Sequence, residues 1–248
     1  MSAIYILWLR QLKRYVRSRA RVVASLGQPL LYLLALGYGL SPVFQKAGQG
    51  NYIQFLAPGV IGMTVMFTSV FSGIELIWDR QFGFLKETLV APVPRTVIMI
   101  GRTLGGATTA ILQGLVVIAI CLLIGFRPTS AGTLLLALVY MVLIALLFTA
   151  FGTAVASLLS DFQGFQLVMN FLVIPMYFLS SAIFPLAGVP PALKALAIID
   201  PLTYGIDGLR GTMTGVHFFH PATDLAVLSA FAAALLLMGS YLFSRIQL

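Results

Sequence analysis

Residues 74–102 read IELIWDRQFGFLKETLVAPVPRTVIMIGR, with seven charged side chains (Glu75, Asp79, Arg80, Lys86, Glu87, Arg95 and Arg102) set between two long apolar runs. Elsewhere charge is scarce: 60% of residues are apolar and 9% charged, and the mean hydropathy is +1.01. No water-soluble domain has that composition, so the stretch is a polar turning point in a chain that otherwise belongs in lipid.

Working outward from it, six runs are long enough to cross a hydrocarbon core, which takes about 20 helical residues at roughly 1.5 Å each. They cover about residues 22–40, 52–77, 97–126, 133–159, 165–184 and 225–243. SPVFQKAGQGN, RPTSAG and SDFQG are the polar turns after the first, third and fourth runs. Only helices and closed barrels satisfy backbone groups in lipid, and no run has the strict alternation of a barrel strand. The expected fold is therefore one all-α integral membrane domain, residues 1–248, with six transmembrane helices.

With the N-terminus inside, eleven of the fifteen Lys and Arg residues fall on the cytoplasmic side, against Lys46, Arg127, Lys194 and Arg210 on the other. Both termini are expected in the cytoplasm. The net charge of +8 thus marks a membrane face, and no nucleic-acid partner is expected. The single cysteine, Cys121, lies in an apolar run and supports neither a disulfide framework nor a thiolate metal site.

The N-terminal arm, IYILWLRQLKRYVRSRAR (residues 4–21), places Arg10, Lys13, Arg14, Arg17 and Arg21 at spacings of three and four, with Tyr5, Trp8, Leu9, Leu12, Tyr15 and Val16 opposite. Residues 1–21 therefore read as an interfacial amphipathic helix, anchored by Trp8 and holding its cations over anionic lipid. A topogenic basic flank is compatible with the same pattern, whereas a signal peptide lacks its small-residue cleavage site.

No G-x-x-x-x-G-K-[ST] phosphate loop occurs, and GRTLGGAT from Gly101 lacks the lysine. Glu75, Asp79 and Glu87 are assigned to one loop, Asp161 to another, and Asp200, Asp207 and Asp224 to the region beyond the fifth span. No span then has an ionisable residue near its middle, which argues against proton or sodium coupling and for energy supplied from outside the chain. An intramembrane enzyme lacks its acid, histidine or serine pairings. His217 and His220, with Asp224 beyond, have ligand-like spacing but no third firm ligand, so no metal is expected. Gly101 and Gly105 read as a close helix contact or a dimerisation face, Pro175 as a kink, and Asp207 with Arg210 as a pair three residues apart.

DRQFGFLKETLVAPVPR resembles the cytoplasmic loop between the second and third helices of ABC-2 type permeases, the membrane subunits of ABC exporters such as those for daunorubicin resistance and nodulation factors. FLSSAIFPLAGVPPALKALAIIDPLTYGIDGLRGTM (residues 178–213) resembles that family's re-entrant segment between the fifth and sixth helices. The resemblance covers nearly the whole chain, departing at Gln81, where the family commonly has Glu, and at Asp200, where it commonly has Asn.

The resemblance implies a coupling helix within residues 78–95 that docks in a groove of a separate ATP-binding subunit. Phe82, Phe84, Leu85 and Leu89 are its candidate apolar anchors, and Arg80, Lys86 and Glu87 its rim charges. It implies an extracytoplasmic re-entrant region at residues 185–221, where Pro185, Pro190, Pro191, Pro201 and Tyr204 cap the pathway. It also implies a permease in a bacterial inner membrane, a homodimer or a heterodimer with a sister permease. Two cytosolic ATP-binding subunits would drive it and bind the ATP and Mg, leaving this chain without a cofactor or catalytic role. Lipophilic or amphiphilic cargo, such as a drug, lipid or lipid-linked glycan, suits the apolar lining. The alternative is an ATP-independent carrier or a scramblase-like channel.

Overall fold

The computed structural model describes residues 3–47, 50–90, 92–130, 132–159 and 161–245, without the side chains of Arg19, Arg21, Glu87 and Leu89. Among the described residues every regular element is helical, and six spans are long and apolar enough to cross a membrane: Val22–Lys46, Tyr52–Gln81, Arg95–Ile124, Thr133–Leu158, Phe162–Leu179 and Pro221–Ser244.

Helix α1 (Ala3–Arg17) precedes the first span, which joins α2 (Arg19–Leu31), a π-helical turn (Tyr32–Tyr38) and α3 (Gly39–Lys46). The second span joins α4 (Tyr52–Ser72) to α5 (Ile74–Gln81), and α6 (Phe84–Val90) leads on to α7 (Arg95–Ile124), the third span. Helix α8 (Thr133–Leu158) is the fourth. The fifth joins α9 (Phe162–Val168), a π-helical turn (Met169–Val173) and α10 (Ile174–Leu179). Two shorter helices, α11 (Pro191–Ile199) and α12 (Pro201–Thr214), precede α13 (Pro221–Ser244), the sixth span.

The second span is the centre of the bundle. Leu56, Val60, Ile61, Met63, Val65 and Met66 are all buried, so α4 is apolar on every side, as a helix enclosed by neighbours must be. It packs on α7, α8 and α12. The approach to α8 is close enough to exclude side chains: a Cβ on Gly73 would collide with the Gly152 carbonyl, and one on Gly152 with the Val70 carbonyl.

Two boundaries differ from expectation. SPVFQK continues the first span as α3 instead of turning, with Ser41 Oγ donating to the Gly37 carbonyl at 2.5 Å. Both π-helical turns lie just before a proline, Pro42 or Pro175, whose ring would meet the carbonyl four residues back; a widened turn relieves that clash. The fifth span stops at Leu179 because Ser181 takes up a left-handed conformation, φ 58°. Its π-helical turn and flanks leave Leu167, Phe171, Leu172 and Phe178 exposed at the edge of the bundle.

The region of residues 185–221 is less peripheral than the sequence suggests. Helix α12 is buried among α4, α8 and α13, and Pro201 and Tyr204 lie in that core. Asp200 caps α12 by accepting from the Leu202 N–H at 2.9 Å, and Tyr204 donates to the Ile198 carbonyl at 2.9 Å, fixing the α11–α12 corner. Pro190 and Pro191 are exposed, and Pro185 half-buried. His220 caps α13, its Nδ1 accepting from the Ala222 N–H at 3.3 Å. Among the described residues no three His, Cys, Asp or Glu side chains are grouped to hold a metal.

Replacing Gly152 by Val should force α4 and α8 apart and cost about 1–3 kcal/mol, the range for overpacking a filled core. The thermal unfolding midpoint in detergent should fall accordingly. Gly39→Ala, with open space around its Cβ, should leave it unchanged or raise it.

Candidate functional site at the charged end of the bundle

The expected polar loop is largely helix. Glu75 and Asp79, four residues apart on α5, lie on one face and are buried, with 8% and 5% exposure. Isolated carboxylates could not remain ionised there, but two other helices supply cations. From α7, Arg102 donates through Nη2 to Asp79 Oδ2, and both side chains are almost fully enclosed. From α1, Arg10 Nη2 reaches both Asp79 oxygens at 3.1 and 3.3 Å, and Arg14 Nη1 reaches Glu75 Oε2 at 3.5 Å. The four-residue spacing of Arg10 and Arg14 thus matches that of Asp79 and Glu75 in reverse order, as two helices running in opposite directions require.

This corrects the reading of the arm. Two of its cations face the protein's own carboxylates, while Lys13 and Arg17 stay exposed. Its other face packs along α7, where a Cβ on Gly101 would meet Ile4 and Leu7, and one on Gly105 would meet Trp8 and Gln11. Trp8 Nε1 donates to Thr108 Oγ1 at 3.0 Å, and the Tyr15 hydroxyl donates to the buried Gln113 amide oxygen. The two glycines therefore make a contact within the chain.

Gly83, at φ +79°, makes the sharp turn from α5 into α6. Of the proposed anchors, Phe82 is 81% and Phe84 50% exposed, and Lys86 is exposed as well. Leu85 is instead fully buried in this chain and holds α6 to the bundle. Arg80 is not a rim charge either: its Nη1 and Nη2 donate to the Leu159 and Ser157 carbonyls at 2.9 and 3.3 Å, satisfying the C-terminal end of α8. The side chains of Glu87 and Leu89 lie outside the described residues. Val90, not singled out from the sequence, is 81% exposed at the far end of α6. The Arg10 guanidinium sits 4.9 Å from the Phe84 ring centroid, tying α6 to α1. Between α1 and the α5–α6 corner opens a groove of about 970 Å³, lined by Tyr5, Leu9, Lys13, Arg17, Phe82 and Phe84 among others.

The cluster therefore ties α1, α5 and the start of α7 together, and the Arg10–Phe84 contact adds α6. Glu75, Asp79 and Arg102 were read as loop charges. The signal that identifies them is the pair of four-residue spacings, acidic on α5 and basic on α1.

Asp79→Asn leaves the buried Arg102 without its counter-ion and should cost about 3–5 kcal/mol, read as a fall in thermal midpoint. Replacing both partners, Asp79→Leu with Arg102→Met, should recover most of that loss, because no buried charge then remains. Glu75→Gln should cost roughly 1 kcal/mol or less, since its partner Arg14 is more than a third exposed.

Comparison with known proteins matches this architecture. Residues 2–214 fit the family described as ABC-2 type transporter. Nodulation protein J of Rhizobium leguminosarum bv. viciae is 28% identical over 228 residues, covering 91% of this chain and 87% of its own. The putative transport permease ycf38 of Porphyra purpurea is 31% identical, over 78% of this chain and 68% of that one. The inner membrane transport permease YadH of Escherichia coli strain K12 is 27% identical, over 98% and 95%. The chain belongs to the ABC-2 type transporter family and is a membrane transport permease.

Proposed function

We propose that the chain is the membrane subunit of an ATP-driven exporter, docked through α6 to a separate ATP-binding subunit. The observation that carries this reading is the exposure of Phe82, Phe84 and Val90 beside the α1 groove, at an end of the bundle rich in charge. Large apolar side chains ringed by charge are what a partner's pocket takes up, and such anchors dominate docking energy. Lys86 and the exposed Lys13 and Arg17 supply the rim. The partner would bind ATP and Mg, and its closure would move α6 and, through the ion cluster, α1 and the second and third spans.

The charge asymmetry of the sequence supports a cytoplasmic location for this end and for both termini, in a bacterial inner membrane. A path through the membrane needs walls on both sides. The first and fifth spans present an apolar edge, with Leu31, Leu34, Leu167 and Phe171 exposed, and each contains a π-helical turn, a feature frequent at functional sites. A second copy meeting that edge would enclose a lipophilic or amphiphilic cargo between two permeases.

Phe82→Ala tests the reading most cleanly, because Phe82 makes little contact within this chain. Retention of the coexpressed ATP-binding subunit in a pulldown should fall by roughly thirtyfold in affinity, the equivalent of about 2 kcal/mol for an interface anchor, and substrate-stimulated ATPase activity should be lost. If Phe82 and Phe84 can both be replaced without changing either readout, the ATP-independent carrier or channel is the better account.

A further inference from the structure

At the end of the bundle opposite the ion cluster, a cavity of about 350 Å³ opens between the N-terminal end of α4, the turn at Ser181, the outer part of α12 and the loop before α13. That volume is at the lower end of small-molecule sites, which span roughly 300–1,000 Å³. The sequence spacing predicts that Asp207 and Arg210 pair on its wall. They attract each other but form no direct ion pair. Both Asp207 oxygens accept from the Phe218 N–H at 3.0 Å, and Oδ2 also accepts from the Phe219 N–H at 2.8 Å. The carboxylate therefore holds the loop that forms the cavity's lip.

Arg210 is left with a different set of neighbours. It is 5% exposed, its guanidinium stacks 4.0 Å from the Phe55 ring centroid, and Nη2 donates to the Ser181 carbonyl at 2.8 Å. Its Nε has no hydrogen-bond partner. Beside it Ser181, 2% exposed, lines the same cavity with a hydroxyl that is also unpartnered, on a left-handed backbone. That conformation is unfavourable for a serine, and the surroundings impose it: the Ala182 carbonyl is lodged against Gly59, and Tyr52 donates to the Ile183 carbonyl at 2.7 Å. Two residues that line the cavity, one of them cationic, thus each bury a donor that finds no acceptor within the chain, which costs free energy.

We propose that this cavity is a binding site for an anionic group, phosphate or carboxylate, held by Arg210 and the Ser181 hydroxyl. A guanidinium with a hydroxyl beside it is a donor set suited to such an anion. The flanking walls, Phe44, Phe55, Leu186 and Phe218, are apolar, so the full ligand is an amphiphile whose anionic headgroup enters the cavity. The inference requires neither an ATP-binding subunit nor a second copy, and it stands or falls separately from the exporter reading.

The test is calorimetric titration of the purified permease in maltoside micelles with dihexanoyl phosphatidic acid, dihexanoyl phosphatidylcholine and sodium phosphate. Saturable binding of the phosphatidic acid is expected, with none of the phosphatidylcholine. Arg210→Gln should weaken it by roughly tenfold to a hundredfold, as for loss of a charged hydrogen-bond partner. Ser181→Ala, which removes no charge and leaves the ion cluster untouched, should weaken it by about fivefold. Competition by millimolar phosphate would identify the anion alone as sufficient, and its failure would identify the headgroup with its chains; either result supports the site. Equal binding of the two lipids, or unchanged binding in Ser181→Ala and Arg210→Gln alike, would overturn the proposal.

Discussion

Asp79 and Arg102 form an ion pair where neither charge could exist alone. Each comes from a different membrane-spanning segment and each is about 6% exposed at its side chain, so neither can turn to water if the other leaves. Such a pair adds little net stability over an apolar contact of the same shape, but breaking it is severely penalised. Its consequence is therefore positional. The second and third spans are held in register at their charged ends, and because Arg10 shares the same carboxylate, so is α1. Helix α6 then hangs from a rigid corner, with Leu85 buried on one side and Arg10 over Phe84 on the other.

The spans were legible in the sequence because hydropathy over 20 residues is a strong signal and lipid allows few backbone solutions. Partners were less legible. A cation on an amphipathic helix has the same spacing whether it faces anionic lipid or a carboxylate on another helix, so Arg10 and Arg14 were assigned to the membrane surface. Gly101 and Gly105 announced a close approach but not which helix would make it, since that depends on tertiary packing alone. Asp207 and Arg210 were near enough to pair, yet the backbone N–H groups of Phe218 and Phe219, eleven and twelve residues on, won the carboxylate. A local spacing rule does not anticipate a competing donor brought by a loop.

The two ends of the bundle hold buried charge by different means. At the charged end Asp79 and Arg102 pair with each other across two spans. At the distal end Asp207 is held by backbone N–H groups, and Arg210 by a carbonyl and an aromatic ring beside the cavity. Between them α4 runs through the core, touching the Ser181 turn at Gly59 and α8 at Gly73. Motion imposed at one end has a route to the other through that packed helix, because close backbone contacts shift as units and do not deform gradually.

The ion cluster and the Arg10–Phe84 contact imply that α1 and α6 move as one body. Spin labels at Lys13 and Val90, in a background with Cys121 replaced, report that distance directly by pulsed electron resonance. The same distance distribution is expected with and without trapped nucleotide on the proposed ATP-binding subunit, while a label pair from Val90 to the exposed Leu237 of α13 changes. A shift or broadening between Lys13 and Val90 on nucleotide trapping would contradict it.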